Sequence, residues 1–572
     1  FELNSITIGQ VGIILDGGLS DFGVTNRILA SNGLIRLGAG GLTATMVDVT
    51  SADEARNVAI NANVELTTDM TIRRNTAYGT GNRNRTLSFG GVISGGSVGN
   101  PLDLIISNAG TSSTNQSISF QQANTFVADV NLSGVLAVYN AAGLGHASNT
   151  YTLNQGVYLQ MLSSGELTTE NDFILAPGSS SIIRIARFAN GSWTFNGDIT
   201  QGHSDKALEI LTNGNTRQIV FAGANQTFLN KVELWGGSKV IIAAANSSGI
   251  AWPNAGRILL NRSNLTSSLT TDLLLRGDFT LNQDIEVANI TNNNRVYIGQ
   301  VNDGTTPFDA RFNGRINVLE TDVETLHLTA DVGGSATFTG EINVAGTFGL
   351  RKIGQGTVAV AGRVSQGQGT TTPIGTVTVE QGSLLVNSPG GNDSFFTTGI
   401  DVLSGATLGG TGTIAGGAVT IATGGTLAAG ESVGTLSLGG DLILQSGAIW
   451  DWEYVNTGSH DQVAGPELLL PASGAVTLNI LGLVTDPGFS IYYGDEFTIF
   501  TGDVPGFDPA RFNLIDGASG WTRGWSISGE NGLVLTAVPE PGTLLLLLAG
   551  AMGLLAARSR CSRHSSITRN EP

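Results

Sequence analysis

The sequence predicts an all-β protein wound as a right-handed parallel β-helix, a solenoid, with a small β-rich C-terminal cap and a final apolar helix. Three observations predict it. Gly makes up 80 of 572 residues, twice the usual share, while charged residues at 13% are half of theirs. Short Gly-rich phrases recur along the chain at spacings of roughly 20–30 residues, too small a unit to enclose its own core. Within each phrase apolar and polar residues alternate with period two over four or five residues, the pattern of short half-buried strands.

Composition narrows the alternatives. Each Gly inside a helix costs roughly 1 kcal/mol relative to Ala, so glycine at this density argues against long helices. No strict Gly-X-Y period exists, which removes collagen. The net charge is −18, with Lys only at Lys206, Lys231, Lys239 and Lys352, so a nucleic-acid partner is not expected. The single cysteine, Cys561, stands near the C-terminus. A disulfide framework and a Cys-ligated metal site are thereby excluded from this chain.

Residues 1–455 read as the repeat domain. Leu87-Ser88-Phe89-Gly90-Gly91-Val92-Ile93 matches Trp193-Thr194-Phe195-Asn196-Gly197-Asp198-Ile199, and the phrase from Phe120 to Phe126 matches that from Phe221 to Phe228. These pairs suggest a duplicated block of a little over a hundred residues. A Phe-x-Gly-x-Ile phrase then recurs at the shorter interval, as Phe312-Asn313-Gly314-Arg315-Ile316 and Phe338-Thr339-Gly340-Glu341-Ile342. Apolar anchors are expected at Leu384, Leu408, Leu427 and Ile449. Val377 and Val379 are expected to face inward, Thr376, Thr378 and Glu380 outward. Gln381-Gly382 should turn the chain before Leu384 and Val386 resume the inner face. Units of this size gain a core only by stacking, and a parallel β-helix does this with one hydrogen-bonded coil upon the next. A set of Gly-rich antiparallel sandwiches is the alternative; strand contacts running to the residue one coil away distinguish the two.

From Leu350-Arg351-Lys352-Ile353-Gly354-Gln355-Gly356-Thr357-Val358 the sequence resembles the autotransporter-associated β-strand repeat family. Leu408-Gly409-Gly410-Thr411-Gly412-Thr413-Ile414 and the phrase from Leu427 to Leu436 continue the likeness. The resemblance is strongest over 347–450. It implies an exported, surface-displayed β-helical stalk and no chemistry. A true autotransporter would also need a C-terminal membrane barrel of alternating strands, which the chain's apolar helix and Arg-rich end do not supply.

Residues 456–536 replace the Gly-Thr cadence with aromatic and acidic residues and read as a capping β-domain, since an open solenoid end exposes unpaired backbone groups. Strands are expected from Ile491 to Phe500 and from Trp521 to Ile527, with Glu530-Asn531-Gly532 turning into Leu533-Val534-Leu535. Trp521, Trp525 and Tyr492 are expected to pack in this cap; a carbohydrate-binding surface is the other use of such rings.

The C-terminus carries the most specific signal. Val538-Pro539-Glu540-Pro541-Gly542 leads into an apolar run over 542–557, then Arg558, Arg560 and Arg563. Sixteen residues at 1.5 Å each span about 24 Å as a helix, short of a ~30 Å hydrocarbon core. The arginines orient such a helix with its C-terminus in the cytoplasm. Residues 537–560 resemble the PEP-CTERM sorting signal of Gram-negative bacteria. Pro539, Glu540 and Pro541 match its motif, and Arg558 and Arg560 its basic cluster. The resemblance implies a transmembrane helix over 542–557, an exosortase-type membrane protease as partner, and removal of the helix and the basic cytoplasmic tail, 561–572. The precursor would be anchored in the inner membrane and the processed body delivered to the cell surface or beyond. The prolines flanking Glu540 keep that segment extended. No charged-then-apolar leader follows Phe1, so an export signal is expected upstream of the sequence given.

Catalytic motifs are weak. Gly430-Glu431-Ser432-Val433-Gly434 fits a nucleophile elbow, but Thr435-Leu436-Ser437-Leu438 reads as a strand where that motif needs a helix. His146, His203, His327, His460 and His564 lack metal-ligand spacing, and Asp495-Glu496 should face opposite ways on a strand. No catalytic residue, metal or cofactor is assigned. The expected function is that of an exported structural or adhesion-type protein, not an enzyme. The alternative is a β-helical polysaccharide lyase or glycan-binding protein, with an extracellular polysaccharide as partner. Three or more carboxylates with an Arg or Lys in one groove would favour the alternative.

Overall fold

The computed structural model describes residues 5–8, 13–16, 26–28, 34–46, 58–76, 86–108, 116–154, 156–176, 182–201, 207–212, 214–228, 231–244, 250–251, 256–260, 270–288, 295–319, 326–346, 349–482, 492–517, 523–529, 532–539, 551–552 and 554–555. They belong to two compact units, Phe1–Gly375 and Thr376–Pro572. Both are parallel β-solenoids. Helix among the described residues amounts to three short 3-10 turns and Ala551, Met552, Leu554 and Leu555.

In the first unit the chain visits three faces per coil, and each strand pairs in parallel with its counterpart one coil on. Ile316–Val318 pairs with Ile342–Val344, Leu326–Thr329 with Leu350–Ile353, and Asp309–Phe312 with Ser335–Phe338. These pairings favour the solenoid over the antiparallel sandwiches. The register stacks like on like. Phe312 lies opposite Phe338, their rings 4.7 Å apart and 11° from parallel. Phe89 lies opposite Phe120 at 5.6 Å and Phe195 opposite Phe221 at 5.7 Å. The phenylalanines of the two long-range matched phrases are therefore neighbours on consecutive coils, and the structural unit of repetition is the single coil.

The glycine of Phe-x-Gly-x-Ile has a steric reason. A Cβ on Gly340 would overlap the carbonyl oxygen of Gly314, and one on Gly362 would overlap that of Gly340. At this corner successive coils approach too closely for any side chain.

In the second unit, Val377 and Val379 are buried and Thr378 and Glu380 half-buried. Gly382 turns the chain at φ 60°. Leu384, Leu408 and Leu427 stack in register and are fully buried. The fourth anchor differs from expectation: Trp450, not Ile449, sits opposite Leu427 and is fully buried. The strand Ile449–Asn456 alternates inward from Trp450 through Trp452 to Tyr454, so the indole takes the core position and Ile449 the outer one.

Parallel coiling carries past residue 456. Ile449–Asn456 pairs with Val476–Gly482, which pairs with Phe512–Asp516. The unit then turns antiparallel: Leu533–Pro539 runs between Glu496–Asp503 and Arg523–Ser528. The strand expected from Ile491 begins at Glu496, because Tyr492 to Asp495 form a turn in which the Tyr492 N–H donates to Asp495 Oδ2 at 2.7 Å. Ile491, Trp521, Glu530 and Asn531 lie outside the described residues.

Candidate functional site

Two regions gather the chemistry-bearing side chains: the end of the second unit, where the expected sorting segment begins, and one charged face of the first.

The terminal sheet is built on an aromatic cluster. Trp525 packs against Trp452 at 6.2 Å, Tyr454 at 6.0 Å and Phe497 at 5.9 Å, and its Nε1 donates to Asp516 Oδ2 at 2.9 Å. That is the packing use expected of this ring. Tyr492 does not join it; the side chain is 70% exposed, as is much of Tyr493. Leu533, Leu535 and Ala537 of the last strand are fully buried. Pro539 ends this strand opposite Arg523. Glu540, Pro541, Arg558, Arg560 and Arg563 lie outside the described residues. So does 542–557 apart from four residues, and among the described residues no helix is long and apolar enough to cross a membrane.

Beside this cluster the Gly430–Gly434 loop is tied down by Asp461. The buried carboxylate accepts the N–H of Gly434 and that of Glu453, each at 3.0 Å. Burial pushes the Asp461 acid up to about 7 even though both N–H groups favour its charged form. Ser432 is exposed, and Thr435–Leu438 follows as a strand, so the helix of a nucleophile elbow is missing here.

The histidines stand apart. His146 Nδ1 shares a hydrogen bond with Ser148 Oγ at 2.8 Å. His327 is buried against Tyr297, and His460 Nε2 approaches Thr498 O at 3.2 Å. His203 and His564 lie outside the described residues, among which no group of three His, Cys, Asp or Glu side chains could hold a metal ion.

The charged face could not be read from local sequence, because it joins residues one coil apart. Arg184 lies opposite Glu209, Glu209 opposite Glu233, Arg257 opposite Asp284, and Glu286 opposite Asn317. Ion pairs link them: Arg184–Glu209 at 2.5 Å, Arg315–Asp284 at 3.3 Å, and Lys231–Glu233, Arg257–Glu286 and Arg363–Glu341 in close contact. Arg184 also lies over the Trp235 ring at 5.8 Å. A cleft of about 600 Å³ opens on this face, lined by Lys231, Gly256, Arg257, Asp284, Glu286 and Asn317. Two carboxylates, Asp284 and Glu286, share this groove with Lys231 and Arg257, one carboxylate fewer than the three that would favour a glycan-active site. Each carboxylate named in these ion pairs has a cationic neighbour.

Sequence reasoning also missed the buried cations, Arg187 and Lys352 among them. Arg187 donates to the carbonyls of Gly191 at 2.8 Å, Gly165 at 2.5 Å and Asn190 at 2.9 Å. Lys352 Nζ donates to Gly354 O at 2.5 Å and Gly356 O at 2.7 Å, and burial lowers its pKa to about 8. Gly and Asn turns that aim several carbonyls inward after an Arg or Lys are the signal that could have found them.

Comparison with known proteins adds one assignment. Nothing among curated proteins matches the chain. Residues 537–560 match the PEP-CTERM protein-sorting motif, a span that contains Pro539, Glu540, Pro541, Arg558 and Arg560 and stops short of Arg563. The chain is accordingly a parallel β-solenoid whose C-terminal segment carries the sorting motif of exported, surface-directed proteins.

Proposed function

We propose that this protein is an exported structural or adhesion-type β-helical stalk, delivered to the cell surface and cut at its C-terminus by an exosortase-type membrane protease. The observation that carries the reading is the sorting motif over 537–560 joined directly to a stacked solenoid. In this reading the apolar run over 542–557 holds the precursor in the membrane, and Arg558, Arg560 and Arg563 keep its end in the cytoplasm. The coils follow the autotransporter-associated repeat pattern in a right-handed sense, and the antiparallel terminal sheet acts as a cap. The body supplies length and a repetitive surface, not catalysis.

Fractionation of producing cells tests this. Wild-type chain should be recovered at the surface or in the medium, and a chain lacking 537–560 should not reach the same fraction. Equal distribution of the two would contradict the proposal.

A second reading is favoured by the cleft on the charged face: paired carboxylates and cations beside Asn317 offer hydrogen-bonding groups suited to the hydroxyls of an extracellular polysaccharide. Retention of the purified chain on immobilised polysaccharide, lost in Arg257→Ala, would support it.

A further inference from the structure

The sorting motif and the folded cap overlap. The match begins at Ala537, inside the last strand, and that strand is the middle one of three. Val534 faces Thr498 on one side and Ser528 on the other; Leu535 faces Phe497 and Ile527; Thr536 faces Glu496 and Ser526. Ala537 is still held on both sides. Its N–H donates to Asp495 O at 3.0 Å, its carbonyl accepts from Gly494 N at 2.8 Å, and Trp525 lies opposite it. Val538 and Pro539 keep the partners Gly524 and Arg523 on one side.

A protease reads its substrate as an extended segment with free backbone edges. Up to Ala537 both edges of this strand are occupied, and Leu533, Leu535 and Ala537 are buried beneath it. Cutting there would require the middle strand to leave the sheet first, exposing those side chains and the edges of both neighbours.

We infer that the cap sheet shields the peptide bonds up to Pro539, confines the sorting cut to the chain beyond it, and leaves the mature body with its last strand complete. The inference rests on the sorting reading above. The step itself is breakage of one peptide bond. Its carbonyl carbon passes to water, giving a new C-terminal carboxylate, or to an amine acceptor, giving an amide; the nitrogen leaves as the amino terminus of the discarded segment.

Two measurements on the full chain test it. In the first, the purified protein in detergent is digested with subtilisin and its C-termini are mapped by mass spectrometry. Cuts within 533–538 should be at least about tenfold slower than cuts beyond 539, a difference set by the opening equilibrium of the sheet. Trp525→Ala should erase that difference and Trp525→Phe restore most of it. Equal rates in the wild type overturn the inference, whatever the fate of the chain in cells. In the second, the C-terminal residue is determined on protein released by producing cells. An end at Pro539 or shortly after supports the inference. An end at Val538 or earlier overturns it while leaving sorting intact, and an intact end at Pro572 overturns both.

Discussion

Gly434 donates its backbone N–H to the buried carboxylate of Asp461 across 3.0 Å, and the other oxygen of that carboxylate accepts from Glu453. One side chain thus fastens the Gly430–Gly434 loop to the strand Ile449–Asn456.

This contact makes the second unit sensitive to pH. Burial raises the Asp461 pKa from the ordinary 3.8 to about 7, so folding favours the protonated acid. Its contribution is fully present below about pH 4 and is lost as pH rises through about 7. The stability of wild type, minus that of Asp461→Asn, should fall across this window by about 4 kcal/mol. Asn cannot accept both N–H groups, so the variant starts lower by about 1 kcal/mol, but its own profile should be flatter. Thermal denaturation at pH 4, 5.5 and 7.5 checks the difference.

The corner at Gly340 tolerates no side chain. Gly340→Ala forces the new methyl against Gly314 O and should cost about 2–4 kcal/mol, in the range of severe backbone and overpacking effects. Thr339→Ala, one residue away on an exposed side chain, removes only its hydrogen bond to Asn313 and should cost about 1 kcal/mol or less. Urea denaturation followed by circular dichroism compares the two.

Trp450 continues the Leu384, Leu408, Leu427 stack and lies opposite Leu478 on the next coil. Trp450→Ala should destabilise the second unit by about 3–5 kcal/mol, while Ile449→Ala, on a half-buried position, should cost much less. Chemical denaturation of the two variants measures the ranking, which an anchor at Ile449 would reverse.

Much of this architecture was legible in the sequence, for a physical reason. Stacking coils repeats the same environment, so Phe312 and Phe338, or Leu408 and Leu427, must satisfy the same packing and show it as repetition. The Ile449 expectation failed because alternation gives the period of a strand and not its phase: Trp450 and Ile449 are both apolar, and the larger ring took the core. The charged face was illegible because Arg257, Asp284 and Arg315 stand far apart in sequence and meet only once the register of three coils is fixed. The sorting motif over 537–560 was legible for the opposite reason: it is a short linear segment, written locally in the sequence and independent of coil register.

Everything here depends on consecutive coils lying in parallel register, and spin labels measure that directly. Thr378 faces Asp401, and Asp401 faces Thr420, on the outer side of one sheet. With Cys561 replaced by Ser and labels at Thr378→Cys and Thr420→Cys, two strand spacings should separate the label sites by about 10 Å. Continuous-wave spectra should show strong dipolar broadening, absent from either single-label variant. Spectra that equal the sum of the two singles would contradict the stacked-coil account.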